Sequence, residues 1–546
     1  MKIKILKFYR IFCVVLVPMM ALIFGLPDQM GHSQTSQTSK APGAAFTVTS
    51  AADDGAGTLR QAIIDANATS GTDTIMFSIG TGPATIELFS DLPNVTEPVI
   101  IDGTTQPGFS GSPLVNITSF ASFGIRITGG GSTVRSLGFT GSGGSGLILA
   151  SGGSNIVAGC RMTDNPDGVL IDNSPNNTIG GSSASDANNI GLNSYGVRIT
   201  GPAASNNIVT GNFIGLFSDG SDGRNTLVGV AVEGSPNNRV GGTTVGERNI
   251  ISNNGGGSTG SFNLFRGNVL ITGAGATGNT VQGNYIGTNI AGTADGALST
   301  NGNRHNGVRI EDAANNIIGG TVGTTPGGAC TGACNLISAN KTNGGIFITG
   351  SGATGNSILG NFIGTNVEGT AIVSQPRGVR ITGGAANNVI GGTTAAARNV
   401  ISGASGGLIE TDGGIALDGN FNTVQGNYIG TDTTGNIVLA NVPSGILITG
   451  TNNTIGTGAG TTLGGACTGG CNLITPAGGP GIRIVGTANP IGSNVIDYNY
   501  IGLNAAGTAA LLGVNFPGAI WIVDSDQYTI GRPMIPESSV NVGGLH

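Results

Sequence analysis

The sequence predicts an all-β solenoid, a single chain wound into about thirteen or more coils of short strands, each strand stacked on its counterpart one coil later. Three observations lead to it. Of 546 residues, 101 are glycine and only 9% are charged, with no collagen period, so tight turns recur along the whole chain. The tetrapeptide G-[VI]-x-[IVL] recurs from GIRI at Gly124 to GIRI at Gly481; with the variants NVLI at Asn268 and AIWI at Ala519 it occurs thirteen times. A second element, usually N-x-[IV]-x-G, follows each copy. Its leading residue is Asn155, Asn177, Asn207, Asn238, Asn279, Asn316, Asn356, Asn388, Asn422, Asn453 or Asn494, with Ser132 before them and Tyr528 after.

Each element has a physical reason. Alternation within the tetrapeptide turns Val and Ile inward and the x residue outward. Parallel stacking places like side chains above one another, so the asparagines at the corners can bond to the turn backbone and to each other in a ladder. Glycine after a strand supplies the positive φ that a corner needs. At about 4.8 Å per coil, thirteen coils make a rod on the order of 60 Å long. From residue 211 two coil types alternate, one carrying GNFIGL or GNYIGT and the other NNRVGG…RNIIS or its variants, so the duplicated unit is a pair of coils.

The ends differ from the repeats. Lys2, Lys4, Lys7 and Arg10 precede an apolar stretch from Ile11 to Leu26, the pattern of a secretory signal peptide over 1–33, followed by a flexible linker at 34–45. The expected organisation continues with an N-terminal cap and first coils at 46–118, repeats at 119–532 and a tail at 533–546. Leu59, Ile63 and Ala66 share one face of a short helix that could cover the apolar end of the first coil. Loss of 1–33 would make the formal charge of −7 more negative, which argues against nucleic acid as a partner. No later apolar run is long enough to span a membrane. His32, His305 and His546 are the only histidines, too few for a histidine metal centre or a Ser-His-Asp triad. The expected state is a monomer with no cofactor and no metal.

These repeats resemble bacterial secreted and surface proteins of the right-handed parallel β-helix class, with the pectin-lyase-like fold. The opening FTVTSAADDGAGTLRQAIIDANATSGTDTIMFSI resembles the N-terminal segment of the CSLREA and polymorphic outer membrane protein kind, though the CSLREA hexapeptide itself is absent. The resemblance covers about residues 46–531 and implies a single-stranded right-handed parallel β-helix with a short N-terminal capping helix, secreted or held at the bacterial cell surface. It implies no activity, because this fold hosts many. The clustered aspartates of β-helix pectate lyases and polygalacturonases find no counterpart.

The outward x residues are Arg126, Ile148, Leu170, Arg198, Ala231, Leu270, Arg309, Phe347, Arg380, Ala416, Leu447, Arg483 and Trp521. Arginine pairs with carboxylate or sulfate and aromatic rings stack on sugar faces, so Arg198, Arg309, Phe347, Arg380, Arg483 and Trp521 are candidates for a glycan-binding face. The same column would also serve as a solvated sheet surface. Two residues further on stand Asp172, Glu233, Glu311 and Asp418. Glu233 and Glu311, two coils or about 9.6 Å apart with Arg309 alongside, fit the upper limit for an inverting glycosidase pair. The expected function is binding of a polysaccharide or another surface, as an adhesin does; the alternative is a polysaccharide lyase or glycoside hydrolase acting on an acidic glycan, and the third is a structural scaffold. Phe213, Tyr285, Phe362, Tyr428 and Tyr500 recur once per coil pair, which fits an aromatic core stack at the corners. SDGSDGRN at 218–225, with Asp219 and Asp222, fits a polar turn better than a calcium loop.

The cysteines fall in GACTGAC and GACTGGC, where Cys334 and Cys471 take the place of Arg248 and Arg398 in sister coils, and each pair arrives with an enlarged loop. Two pairs four coils apart, about 19 Å, cannot share one metal ion, and the spacing is not that of a Cys-x-x-Cys redox site. Local disulfides Cys330–Cys334 and Cys467–Cys471 fit an exported chain. Cys160 is left over, expected to be buried.

Overall fold

A computed structural model describes residues 43–256, 267–296, 303, 305–342, 344–406, 413–462, 464–486, 493–513, 518–523 and 528–531. The expected signal peptide, nearly all of the linker and the C-terminal tail lie outside the described residues. Every coil contributes a strand to up to three long sheets, and neighbouring strands in each sheet run parallel. Among the described residues, sheet 1 has sixteen strands from Ala45–Val48 to Tyr528–Ile530. Sheet 2 has fourteen, from Ala84–Leu88 to Asn499–Ile501, and sheet 3 thirteen, from Phe123–Ile127 to Ile520–Val523. The G-[VI]-x-[IVL] copies are the strands of sheet 3, and the asparagine motifs lead into sheet 1. One coil runs Asn306–Glu311 in sheet 3, Ile317–Gly319 in sheet 1 and Leu336–Ile337 in sheet 2, then returns to sheet 3 at Ile346–Thr349.

The inward columns are aliphatic. Val308, Ile310, Ile318 and Ile337 of that coil are fully enclosed, and their equivalents from Val48 to Ile501 form one continuous core. Helix α1 (Leu59–Ala68) starts at Thr58, whose hydroxyl accepts from the Gln61 amide, and its face of Leu59, Ala62, Ile63 and Ala66 joins this core beside the first strands of sheet 1.

The asparagine ladder runs as its periodicity predicts. From Asn155 to Asn453 each asparagine's backbone N–H donates to the side-chain oxygen of the next, at 2.8–3.0 Å. The residue before it takes the left-handed conformation, as Asn176, Asn206, Asn237, Asn315, Asn387 and Asn452 do at φ of 57–59°. Asparagine tolerates that region, which explains the doubled Asn-Asn of the motif.

One feature differs from expectation. The alternating coil types share one position in sheet 2, in the register Phe213, Ile250, Tyr285, Leu336, Phe362, Val400, Tyr428, Leu473, Tyr500. These residues form an outward column, because Ile214, Ile251, Ile286 and their successors point into the core. The aromatics are therefore buried, Phe213 only partly, but beneath surface loops and not within the central core. Over four of these rings the loop folds back until a glycine lies on it, and an added Cβ at Gly292, Gly369, Gly435 or Gly507 would come within 2.9 Å of Tyr285, Phe362, Tyr428 or Tyr500.

Both expected disulfides are present, with Cα atoms 5.3 Å apart in each, and closing so small a loop contributes about 2 kcal/mol. The sister-coil alignment explains their place. Arg248 and Arg398 cover Tyr285 and Tyr428 at 4.1 and 3.9 Å from the ring centroids, while in the coils between, the disulfides pack on the same aromatic column. Cys160 is buried and free, and burial pushes its thiol up to about 12, which keeps it unreactive at neutral pH. Asp219 and Asp222 accept hydrogen bonds from Ser221 and Arg224 backbone amides within their own turn.

Candidate functional site

Sheet 3 aligns the thirteen x residues in one column, as the register from Arg126 to Ile148 through Arg483 to Trp521 records. It is not one open face. Ala231, Leu270, Ala416 and Leu447 are at most 2% exposed, and Arg309 only 4%. Around Ala231 and Leu270 the cover includes Tyr195 and Leu227, which pack against them in a small apolar cluster. The column is open near Arg198, at Phe347 and Arg380, and at its end, where Trp521 is 41% exposed.

The acids two residues along settle beside the arginines. Arg198 bonds Glu233 on the next coil at 2.8 Å, Arg380 bonds Asp418 on the next coil at 2.7 Å, and Arg309 bonds Glu311 on its own strand at 3.1 Å. Asp418 also accepts the Thr449 hydroxyl at 2.6 Å. Rings complete the pattern: Arg198 lies over Tyr195 at 4.9 Å, Arg309 over Phe347 at 5.0 Å and Arg483 over Trp521 at 5.8 Å. Glu233 and Glu311 are two coils apart, with Thr272 between them in register. Each is engaged by an arginine, an arrangement that fixes donors and acceptors in place and leaves neither carboxylate of the proposed pair free of a counter-ion.

The densest titratable group on this face joins Arg198 and Glu233 to two residues that the repeat motif does not single out. Asp167 and Tyr195 occupy register-matched positions at the start of adjacent strands. The signal for them is a polar residue immediately before, or one before, the motif glycine. Asp167 is 8% exposed and accepts the Ser145 hydroxyl at 3.0 Å. Burial raises its pKa above the ordinary 3.8, against the Ser145 hydrogen bond and Arg198, with Glu233 adding to the rise. Tyr195 is also raised, by burial first and then by Glu233.

A carboxyl raised on folding holds its proton more tightly in the native state. Its stabilising contribution is full below pH 3.8 and is lost as pH rises through the folded value. Asp167→Asn should therefore increase stability at neutral pH, with a gain that vanishes below pH 3.8. Denaturant unfolding of both proteins at acid and neutral pH checks this; a variant less stable at neutral pH contradicts it.

Among the described residues no three His, Cys, Asp or Glu side chains cluster in a manner that could hold a metal ion, and no helix is long and apolar enough to cross a membrane. His305 is the one described histidine.

With this geometry in hand, the family model of the right handed beta helix region matches residues 100–245. Together with the three parallel sheets, it makes the chain a right-handed parallel β-helix. Comparison with curated proteins gives no match. Among solved structures, an alginate lyase from Paenibacillus sp. str. FPU-7 is 12% identical over 87% of this chain and 99% of its own, with a TM-score of 0.19. The Azotobacter vinelandii mannuronan C-5 epimerase AlgE6 A-module is 12% identical over 89% and 100%, with a TM-score of 0.30. PfbA, a surface adhesin of Streptococcus pneumoniae, is 11% identical over 89% and 91%, with a TM-score of 0.24. Likeness at this level says nothing of what the chain binds.

Proposed function

We propose that the protein acts outside the cell by binding an acidic polysaccharide along the open stretches of sheet 3. The observation that carries this is the threefold grouping of an arginine with an aromatic ring, with a fixed acid beside the arginine in two of the groups, culminating in exposed Trp521 over Arg483. A guanidinium held by a carboxylate keeps further donors in a fixed plane, which suits sugar hydroxyls and carboxylates. An exposed indole offers the apolar face on which a sugar ring stacks. The basic N-terminal segment followed by an apolar run, and disulfides in a repeat rod, support an exported protein.

A panel of acidic and neutral polysaccharides, immobilised and probed with wild-type protein and Trp521→Ala, tests the reading. The variant should bind about tenfold more weakly, the loss of roughly 1.4 kcal/mol from one stacking contact. Wild-type protein that retains no polysaccharide removes the proposal and leaves a scaffold. Glycan chain length is followed in the same experiment, and shortening that Glu233→Gln and Glu311→Gln abolish would assign those carboxylates a catalytic role.

A further inference from the structure

A second feature lies at the N-terminal end of the rod. The first strand of sheet 2, Ala84–Leu88, pairs with Val115–Ser119 on one side, and among the described residues no strand covers its other edge. The ladder fixes which groups face that edge. The Ala84 amide donates to the Leu114 carbonyl and the Leu88 carbonyl accepts from the Phe120 amide, both at 2.9 Å, so the backbone groups of Thr85 and Glu87 point the opposite way. The next group along, the Phe89 amide, is taken by Asp53 Oδ2 at 3.2 Å. Arg60 donates to the Ser90 and Asp91 carbonyls at 3.0 and 2.7 Å, which holds the corner beyond the strand in place.

Two bare rings stand beside this open edge. Phe89 and Phe120 directly follow the paired strands on successive coils and are 69% and 63% exposed. They stack on each other, with centroids 5.5 Å apart and planes 11° from parallel. Apolar surface displayed in this way marks a contact site. The surroundings are acidic: residues 43–99 hold seven carboxylates and one base, Arg60, a net charge of −6 where the whole chain carries −7. Glu87 and Asp91, on either side of Phe89 in the chain, are both exposed. An acid on an open edge repels a second copy of the same surface and favours a basic strand. A lysine or arginine brought there also meets the faces of the rings.

We propose that this end of the rod docks an extended basic segment of another protein, which adds to sheet 2 beside Ala84–Leu88 and lays a cationic side chain on the phenylalanine pair. The site is independent of the polysaccharide-binding face on sheet 3. Fluorescence anisotropy of the full protein with a labelled peptide of four Lys-Val repeats tests it. A peptide of four Glu-Val repeats, which keeps the strand and reverses the charge, should bind at least tenfold more weakly. So should one of four Lys-Pro repeats, which keeps the charge and loses the strand amides. The double variant Phe89→Ala/Phe120→Ala removes the rings, and Thr85→Pro removes an outward amide that no strand of the rod uses. Each should weaken binding of the Lys-Val peptide at least tenfold, whereas Val245→Ala, at an exposed residue several coils away, should leave it unchanged. The site is overturned if wild-type protein does not bind the Lys-Val peptide, if either control peptide binds equally well, or if either the ring or the edge variant binds as wild type does. A wild-type dimer in solution that the double phenylalanine variant dissolves would assign the surface to a second copy and overturn the proposed partner.

Discussion

Replacing Asn361 by leucine should loosen the rod by about 4 kcal/mol around one coil while leaving its ends nearly untouched. Asn361 is fully buried and stands where a strand of sheet 1 turns into sheet 2. Its side-chain nitrogen donates to Ile318 O at 2.8 Å, Leu359 O at 3.0 Å and Asn399 Oδ1 at 3.0 Å, and its oxygen accepts from Asn335 at 2.9 Å. Leucine keeps the volume and loses all four bonds, each contributing about 1 kcal/mol. Because each coil touches chiefly its neighbours, the loss stays local and need not appear as a single global transition. Amide hydrogen exchange should accelerate by about a thousandfold in the adjoining coils, the equivalent of about 4 kcal/mol, with little change near Ile75. Uniform acceleration along the whole rod would contradict the local account.

Gly319→Ala should be at least as damaging, for a steric reason. Gly319 has φ of 92°, and a Cβ there would lie 1.9 Å from the Leu359 carbonyl oxygen and 2.5 Å from Asn361 Oδ1 on the next coil. Those atoms belong to backbone and ladder and cannot swing aside, so the coils must separate. Gly327, in the surface loop, has a comparable φ of 78° and nothing within 4 Å of its would-be Cβ. Gly327→Ala therefore reports the backbone cost alone, about 1–2 kcal/mol, whereas Gly319→Ala should lose about 4 kcal/mol or more. Comparison of their thermal unfolding by circular dichroism separates the two contributions; equal losses would rule out the clash.

Gly319 also marks where periodicity stops being informative. The glycine closing GVRI-type coils can be read as a turn residue, yet the carbonyl it faces is forty residues away in sequence. The ladder around Asn361 has the same character. Its members stand in the plain view of GNFIG and CNLIS, but spread between two motifs of different appearance, so only the eleven-fold series before sheet 1 was legible as a ladder. The aromatic column was visible as a period and misplaced in depth, since alternation says that Tyr285 and Ile286 face opposite ways but not which side a returning loop covers.

The candidate site divides along the same line. Which residues face outward on sheet 3 follows from strand alternation, and the register confirms the column residue by residue. That Arg309 is buried beside Glu311, that Arg198 reaches forward to Glu233, and that Asp167 joins them depends on loop cover and on side chains from neighbouring coils. Arg398 was visible only as the residue that cysteine replaces in sister coils; its seat on Tyr428 needed the stacking of one coil on the next.

By itself, then, the sequence determined the parallel β-helix, the residue columns that stack within it and the disulfide partners, because all three depend on short periods and short separations. Only the tertiary structure decided which outward residues meet solvent, which charges neutralise each other and which rings the loops cover. Those outcomes depend on the folding back of irregular loops over the sheets, and irregular loops have no period to read.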